Sequence, residues 1–212
     1  GIVTVDDVVD VIREEATEDF LKMAGAGKDR EILLKSSWEN VKSRLPWLFA
    51  SWVGGVLAAF IIGKFEHMLE TTVALAAFIP VIIGMGGNVG TQSSTIVVRG
   101  MATGRVEAGG ELRLVYKELR VGLILGVLYG ILLGVFTLLP FIEAPASLGI
   151  IVGLSICSSM LIASFVGTVV PLTLQKIDVD PAIATGPFVT TSIDILGVTL
   201  YFLIASVISG VV

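Results

Sequence analysis

Five apolar runs, each long enough to cross a bilayer core of about 30 Å, leave this chain few folds to choose from. They cover roughly residues 45–63, 71–98, 121–142, 148–174 and 182–212. The pattern predicts an all-α integral membrane protein with five transmembrane helices per subunit, preceded by cytoplasmic amphipathic helices. A hydrophobic content of 54% and a mean hydropathy of +0.92 over 212 residues exclude a soluble domain. Several runs exceed the minimum length, so tilts or kinks are expected. Pro80 interrupts the second run, and Pro187 lies early in the fifth.

The basic residues set the orientation. Lys28, Arg30, Lys35, Lys42 and Arg44 precede the first run, and Arg99, Arg105, Arg113, Lys117 and Arg120 separate the second from the third. Lys176 separates the fourth from the fifth, and only Lys64 falls on the other side. Positive charge concentrates in the cytoplasm. The N-terminus is therefore expected inside and the C-terminus outside a plasma (in bacteria, inner) membrane. Trp38, Trp47 and Trp52 suit an interfacial belt.

Ahead of the membrane, residues 6–23 carry Val8, Val9, Ile12, Ala16, Phe20 and Met23 near helical spacing, with Asp10, Glu14, Glu15, Glu18 and Asp19 opposite. Gly25 and Gly27 offer a stop. Asp29 and Glu31 extend the acidic cluster beyond what solubility requires. Residues 28–44, with Ile32, Leu33, Trp38, Val41 and Leu45, read as an interfacial helix. The expected division is 1–27, 28–44 and a pore domain at 45–212. The opening GIVTVDDVVDVI, without an initiator Met, reads as the end of a larger upstream domain.

Asp194 is the only charged residue from Pro181 to Val212. A carboxylate within a span is expensive and usually faces a cavity or a transport path. The plain alternative is an acid neutralised by a proton or hydrogen-bonded for helix packing. Pro187, Thr190, Thr191, Gly197 and Tyr201 share its helical neighbourhood. In the second run, PVIIGMGGNVGTQSST places Asn88, Thr91, Gln92 and Thr95 along one helical face among closely spaced glycines. Such glycines also permit tight helix packing. The candidate ligands, Asp194, Asn88, Gln92 and Thr191 among them, are all oxygens. That favours a hard cation over zinc or copper.

Other classes find no support. A phosphate loop would need GxxxxGK[ST], and the lysine is missing. No basic patch with interleaved aromatics suggests nucleic acid, and no nucleophile–base pair suggests an enzyme. Cys157 reads as a small core residue and His67 as an interfacial one. Asp178 and Asp180 precede the fifth run, where Asp180-Pro181 also reads as a helix start. Glu66, Glu70 and Glu143 read as loop acids.

Together, TVDDVVDVIREEATEDF, GGNVGTQSST, VVRGMATG and DPAIATGPFVTTSID resemble the MgtE family of magnesium channels over essentially the whole chain. The resemblance implies a homodimer of five-helix units in the bilayer around a central Mg²⁺ path. It also implies a cytoplasmic N-terminal region with CBS domains, nearly all of it missing here, that senses intracellular Mg²⁺. Asp194 would be the pore acid, paired with its copy, and Asp180 the acid at the inner mouth. Glu15, Glu18 and Asp19 would hold regulatory Mg²⁺ on the connecting helix in the closed state. Mg²⁺ usually keeps several waters and binds through one or two carboxylates, which suits two copies of Asp194. Two further readings stay open: a secondary transporter using Asp194 as a proton or Na⁺ relay, and a non-transporting assembly whose glycine faces only pack helices.

Overall fold

A computed structural model describes residues 3–26, 34–106, 109–139, 145 and 147–210. The chain is helical, with no strand among the described residues, and five helices are long and apolar enough to span a membrane. Helix α1 covers Val5–Met23, α2 Ser37–Lys64, α3 Glu66–Thr71, α4 Ala74–Ala102, α5 Glu111–Phe136 and α6 Ser147–Lys176. A 3₁₀ turn, Pro181–Thr185, then precedes α7, Pro187–Ser209.

Local chemistry sets the helix ends. Thr4 opens α1 and Ser36 opens α2, each through a reciprocal capping box with the acid three residues on, Asp7 and Glu39. Beyond α1, Gly25 takes φ +66°, a conformation that favours glycine. Asp180 accepts from the Ala182 N–H at 2.9 Å, so the capping expected of Asp180-Pro181 is present.

Helix α6 is the centre of the bundle and packs against α4, α5 and α7. Val152, Ile156, Met160 and Ala163 from α6 meet Ile82 and Leu75 from α4 and Ile193, Val198, Tyr201 and Phe202 from α7. The Tyr201 hydroxyl, fully buried, donates to the Leu75 carbonyl at 2.8 Å and ties α7 to α4. At the α4–α6 crossing a Cβ on Gly167 would overlap the Gly90 carbonyl, so the two backbones touch. Small residues drive such close approach in lipid, where apolar side chains gain little by leaving the solvent. Helix α2 lies at the edge against α7 and leaves Val56, Leu57 and Phe60 exposed, as a lipid-facing helix does.

Several boundaries differ from the sequence expectation. The fifth span starts at Pro187, not near residue 182, because the 3₁₀ turn and the non-helical Gly186 intervene. The third starts at Glu111, so Arg113, Lys117 and Arg120 sit on a helix rather than in a loop. Residues 37–44 are continuous with the first span instead of forming a separate interfacial helix. At about 1.5 Å per residue, Trp38 and Trp52 on α2 lie about 21 Å apart, too far for one belt. The α1 stripe of Val8, Val9, Ile12 and Phe20 is exposed, and α1 buries no residue. Gly27, Lys28, Asp29, Arg30, Glu31, Ile32, Leu33, Glu143 and Val212 lie outside the described residues.

Candidate functional site

The candidate residues fall into two groups, one within the spans and one at the end of the bundle where α1 docks. In the first, α7 carries Asp194 half-buried against α4. A Cβ built on Gly87 of α4 would stand 3.7 Å from the Asp194 Oδ1, so the glycine leaves open space beside the carboxylate. Next to Gly87, the side chains of Asn88, Gln92 and Thr95 are exposed, while Thr91 is half-buried. Their neighbours one face round, Val89, Gly90 and Ser93, are buried. An amide stripe left facing hydrocarbon is costly, so this side of α4 suits water or another polar surface. Among the described residues nothing hydrogen-bonds to Asp194 or forms a salt bridge with it.

Thr191 is placed differently from its neighbour. Its methyl fills the space that a side chain at Gly54 of α2 would need, so it sits in the α2–α7 seam. Asp194 thus lies beside Gly87 of α4, one residue before Asn88 in the chain, while Thr191 packs towards α2.

The second group is built around Lys22, which the sequence reading left out. The Lys22 ammonium lies 2.9 Å from the Glu18 carboxylate and pairs with Asp180 before the fifth span. Burial opposes its charge, but the hydrogen bonds to Asp180 and Glu18 outweigh it and raise the Lys22 pKa. Asp19 is driven the same way by different causes. Burial raises its pKa first, and the negative charge of Asp180 adds to it. Glu15 lies one turn back on the exposed part of α1.

This end of α1 is wedged against the start of α7. A Cβ on Gly25 would meet the Pro187 ring at 3.0 Å, and one on Gly186 would meet the Met23 carbonyl at 3.2 Å. Asp194 lies seven residues into α7, about 10 Å from that docking point. The two groups are therefore stacked along α7 rather than merged. Among the described residues no three His, Cys, Asp or Glu side chains converge on a common metal position.

One further polar pair escaped the sequence reading. Glu118 on α5 is 4% exposed, and Ser93 of α4 donates to its Oε2 at 2.9 Å. Its place in the series Glu118, Gly122, Gly126, Gly130, all buried at four-residue spacing, was the available signal. The i,i+4 pair Glu18 and Lys22 was the corresponding signal for the first omission.

The MgtE family, described as a divalent cation transporter, matches residues 79–204. That range holds most of α4, all of α5 and α6 and most of α7, including Asn88 and Asp194. The chain is 39% identical over 206 residues to a Bacillus subtilis (strain 168) protein named "Magnesium transporter MgtE". It is 35% identical over 206 residues to one of the same name from Enterococcus faecalis, and 36% identical over 215 residues to one from Thermus thermophilus. Each alignment covers 97% of this chain and 45% of the relative, so the chain spans about half the length of the curated relatives it matches. Family match and relatives agree with the five-helix membrane architecture: this chain belongs to the MgtE family of divalent cation transporters.

Proposed function

We propose that this chain forms the pore of a Mg²⁺-selective channel that passes hydrated Mg²⁺ down its electrochemical gradient into the cytoplasm. The observation that carries the reading is the Asp194 carboxylate, unpaired among the described residues and beside the gap at Gly87, on a helix that also exposes Asn88 and Gln92. Two such carboxylates on a dimer axis would offer a hydrated dication the one or two anionic ligands it accepts. The magnesium transporters among the relatives support Mg²⁺ as the substrate. Asn88 would hold waters of the ion's shell. Thr191, set in the α2–α7 seam, would act at the edge of that path.

The α1 end would serve as the gate, closed by intracellular Mg²⁺. Asp19 and Asp180 repel each other as anions, and Lys22 compensates Glu18 and Asp180. A carboxylate such as Asp19, whose pKa is raised in the docked state, opposes docking when ionised at neutral pH. Mg²⁺ bound along this acidic face, at Glu15, Glu18 and Asp19, would offset that opposition and hold α1 on the mouth. An N-terminal regulatory domain ahead of α1 would act on the pore through this end. The excess of basic residues at this end supports a cytoplasmic N-terminus and an outside C-terminus.

Purified protein in liposomes, with a Mg²⁺-sensitive dye inside, tests the transport reading. Influx should follow the Mg²⁺ gradient with or without a pH gradient. Influx that requires a proton or Na⁺ gradient would make Asp194 a relay instead, and absence of flux would leave a packing assembly. For the gate, millimolar-range Mg²⁺, typical of weak oxygen sites, should protect α1 from hydrogen exchange. The triple change Glu15→Gln, Glu18→Gln, Asp19→Asn should abolish that protection. Equal protection in the triple variant would mean that these acids are merely solvated.

A further inference from the structure

The outward face of α5 has a use that ion passage does not explain. At 100° per residue, Arg113, Lys117, Arg120 and Ile124 fall on one side of this helix, with Tyr116 next to them. Glu118, Gly122, Gly126 and Gly130 fall on the opposite side and are buried. The basic side is open. Arg113, Tyr116, Lys117, Arg120, Val121 and Ile124 line a groove of about 590 Å³. A second hollow of about 350 Å³ shares Arg113 and Lys117 and adds Arg105.

Three features make this more than a solvated helix end. First, none of Arg105, Arg113, Lys117 and Arg120 forms a salt bridge among the described residues, although acids stand close in sequence. Glu111 is 3.8 Å from Lys176 instead, and Glu118 is turned inward to Ser93. Second, the Arg120 guanidinium stands over the Tyr116 ring, 5.4 Å from its centre, which holds a normally mobile group in one place. Third, the bases give way directly to exposed apolar side chains: Val121, Ile124, Leu128 and Ile131 continue along α5. A ligand fitted to the whole surface carries an anion at one end and a hydrocarbon chain running into the membrane from it.

We infer that this groove binds the phosphate headgroup of one anionic phospholipid, with Arg113, Lys117 and Arg120 as its ligands and an acyl chain lying along Val121 and Ile124. Arginine offers a phosphate two parallel donors, and lysine adds a point charge. Basic clusters at the ends of membrane spans attract anionic lipids in this way. A free phosphate would use the bases and leave the apolar continuation without a role.

The test is retention of lipid by the whole chain released from discs of mixed phosphatidylglycerol and phosphatidylcholine, read by native mass spectrometry. The wild-type chain should retain phosphatidylglycerol selectively. The triple change Arg113→Gln, Lys117→Gln, Arg120→Gln should lower that retention by roughly tenfold or more, since each base near the surface is worth about a factor of five. The triple change Lys42→Gln, Arg44→Gln, Arg99→Gln removes the same charge elsewhere and should leave retention intact. Arg113→Lys with Arg120→Lys keeps the charge and should retain most of the lipid, which separates ligand loss from misfolding. Equal loss in both triple variants would reduce the effect to general surface charge and overturn the site. Displacement by excess inorganic phosphate would also overturn it, in favour of a soluble anion. So would crosslinking between two Tyr116→Cys copies without phosphatidylglycerol retention, which would put a second copy of the chain on this face.

Discussion

Asp194→Asn should lower Mg²⁺ flux in liposomes by roughly thirtyfold or more while leaving the protein folded. The side chain keeps its volume and its hydrogen-bonding capacity, and only the charge goes. Removing one partner of a desolvated charge interaction costs about 2 kcal/mol or more, and about 1.4 kcal/mol is a factor of ten. Asp194→Glu keeps the charge and pushes it one methylene further into the space beside Gly87, so it should retain part of the flux with altered ion selectivity. A purely structural Asp194 predicts the reverse order. Asparagine would then be tolerated, and glutamate would be worse because the added methylene crowds the α4–α7 seam. Flux measured beside the elution profile on size exclusion distinguishes the two. Wild-type flux in a well-folded Asp194→Asn protein would remove Asp194 from the path and shift attention to Asn88 and Gln92.

The second large effect is on the bundle itself. Gly167→Ala should destabilise the fold by about 1–3 kcal/mol, the usual range for overpacking, and Gly167→Leu should prevent assembly of the native bundle. The atom in the way is the Gly90 carbonyl oxygen, part of a helix backbone, and it cannot move aside as a side-chain tip could. Gly90→Ala is expected to cost less, because its nearest obstacle is the terminal methyl of Ile193, which can rotate. Thermal unfolding in detergent for the two alanine variants checks the order. Equal stability of Gly167→Ala and the wild type would mean that the α4–α6 crossing is looser than described. Because Gly167 lies on the helix that carries α4 and α7, flux should fall only as far as folding does.

Hydropathy made the spans legible, but it reports the membrane and not the helix. Helices α2 and α5 continue past the apolar run into segments rich in Lys and Arg, because those residues are good helix formers outside hydrocarbon. That is why Arg113, Lys117 and Arg120 were assigned to a connection and proved to lie on α5. The start of α7 failed for a different reason. Pro187 looks like an interruption within a long apolar run, yet proline is well suited to the first turn of a helix. The run is in fact a 3₁₀ turn, Gly186 and then a new helix.

At the site, Asp194 and Asp180 stood out because intramembrane charge is rare and Asp-Pro has a local meaning. Lys22 did not. Its partner Asp180 is 158 residues away, and a tertiary ion pair leaves no periodicity to read. Thr191 illustrates the limit of helical spacing as a guide. It stands three residues before Asp194, and its methyl nevertheless meets Gly54 of another helix.

The most direct test of the central claim is to locate Mg²⁺ in a high-resolution structure of the protein in a membrane mimic, with and without the ion. The account predicts an ion that keeps most of its waters, centred between Asp194 and its copy across the dimer axis and lost in Asp194→Asn. Ordered Mg²⁺ elsewhere in the spans, with the two Asp194 carboxylates apart and facing lipid or packed helices, would contradict it.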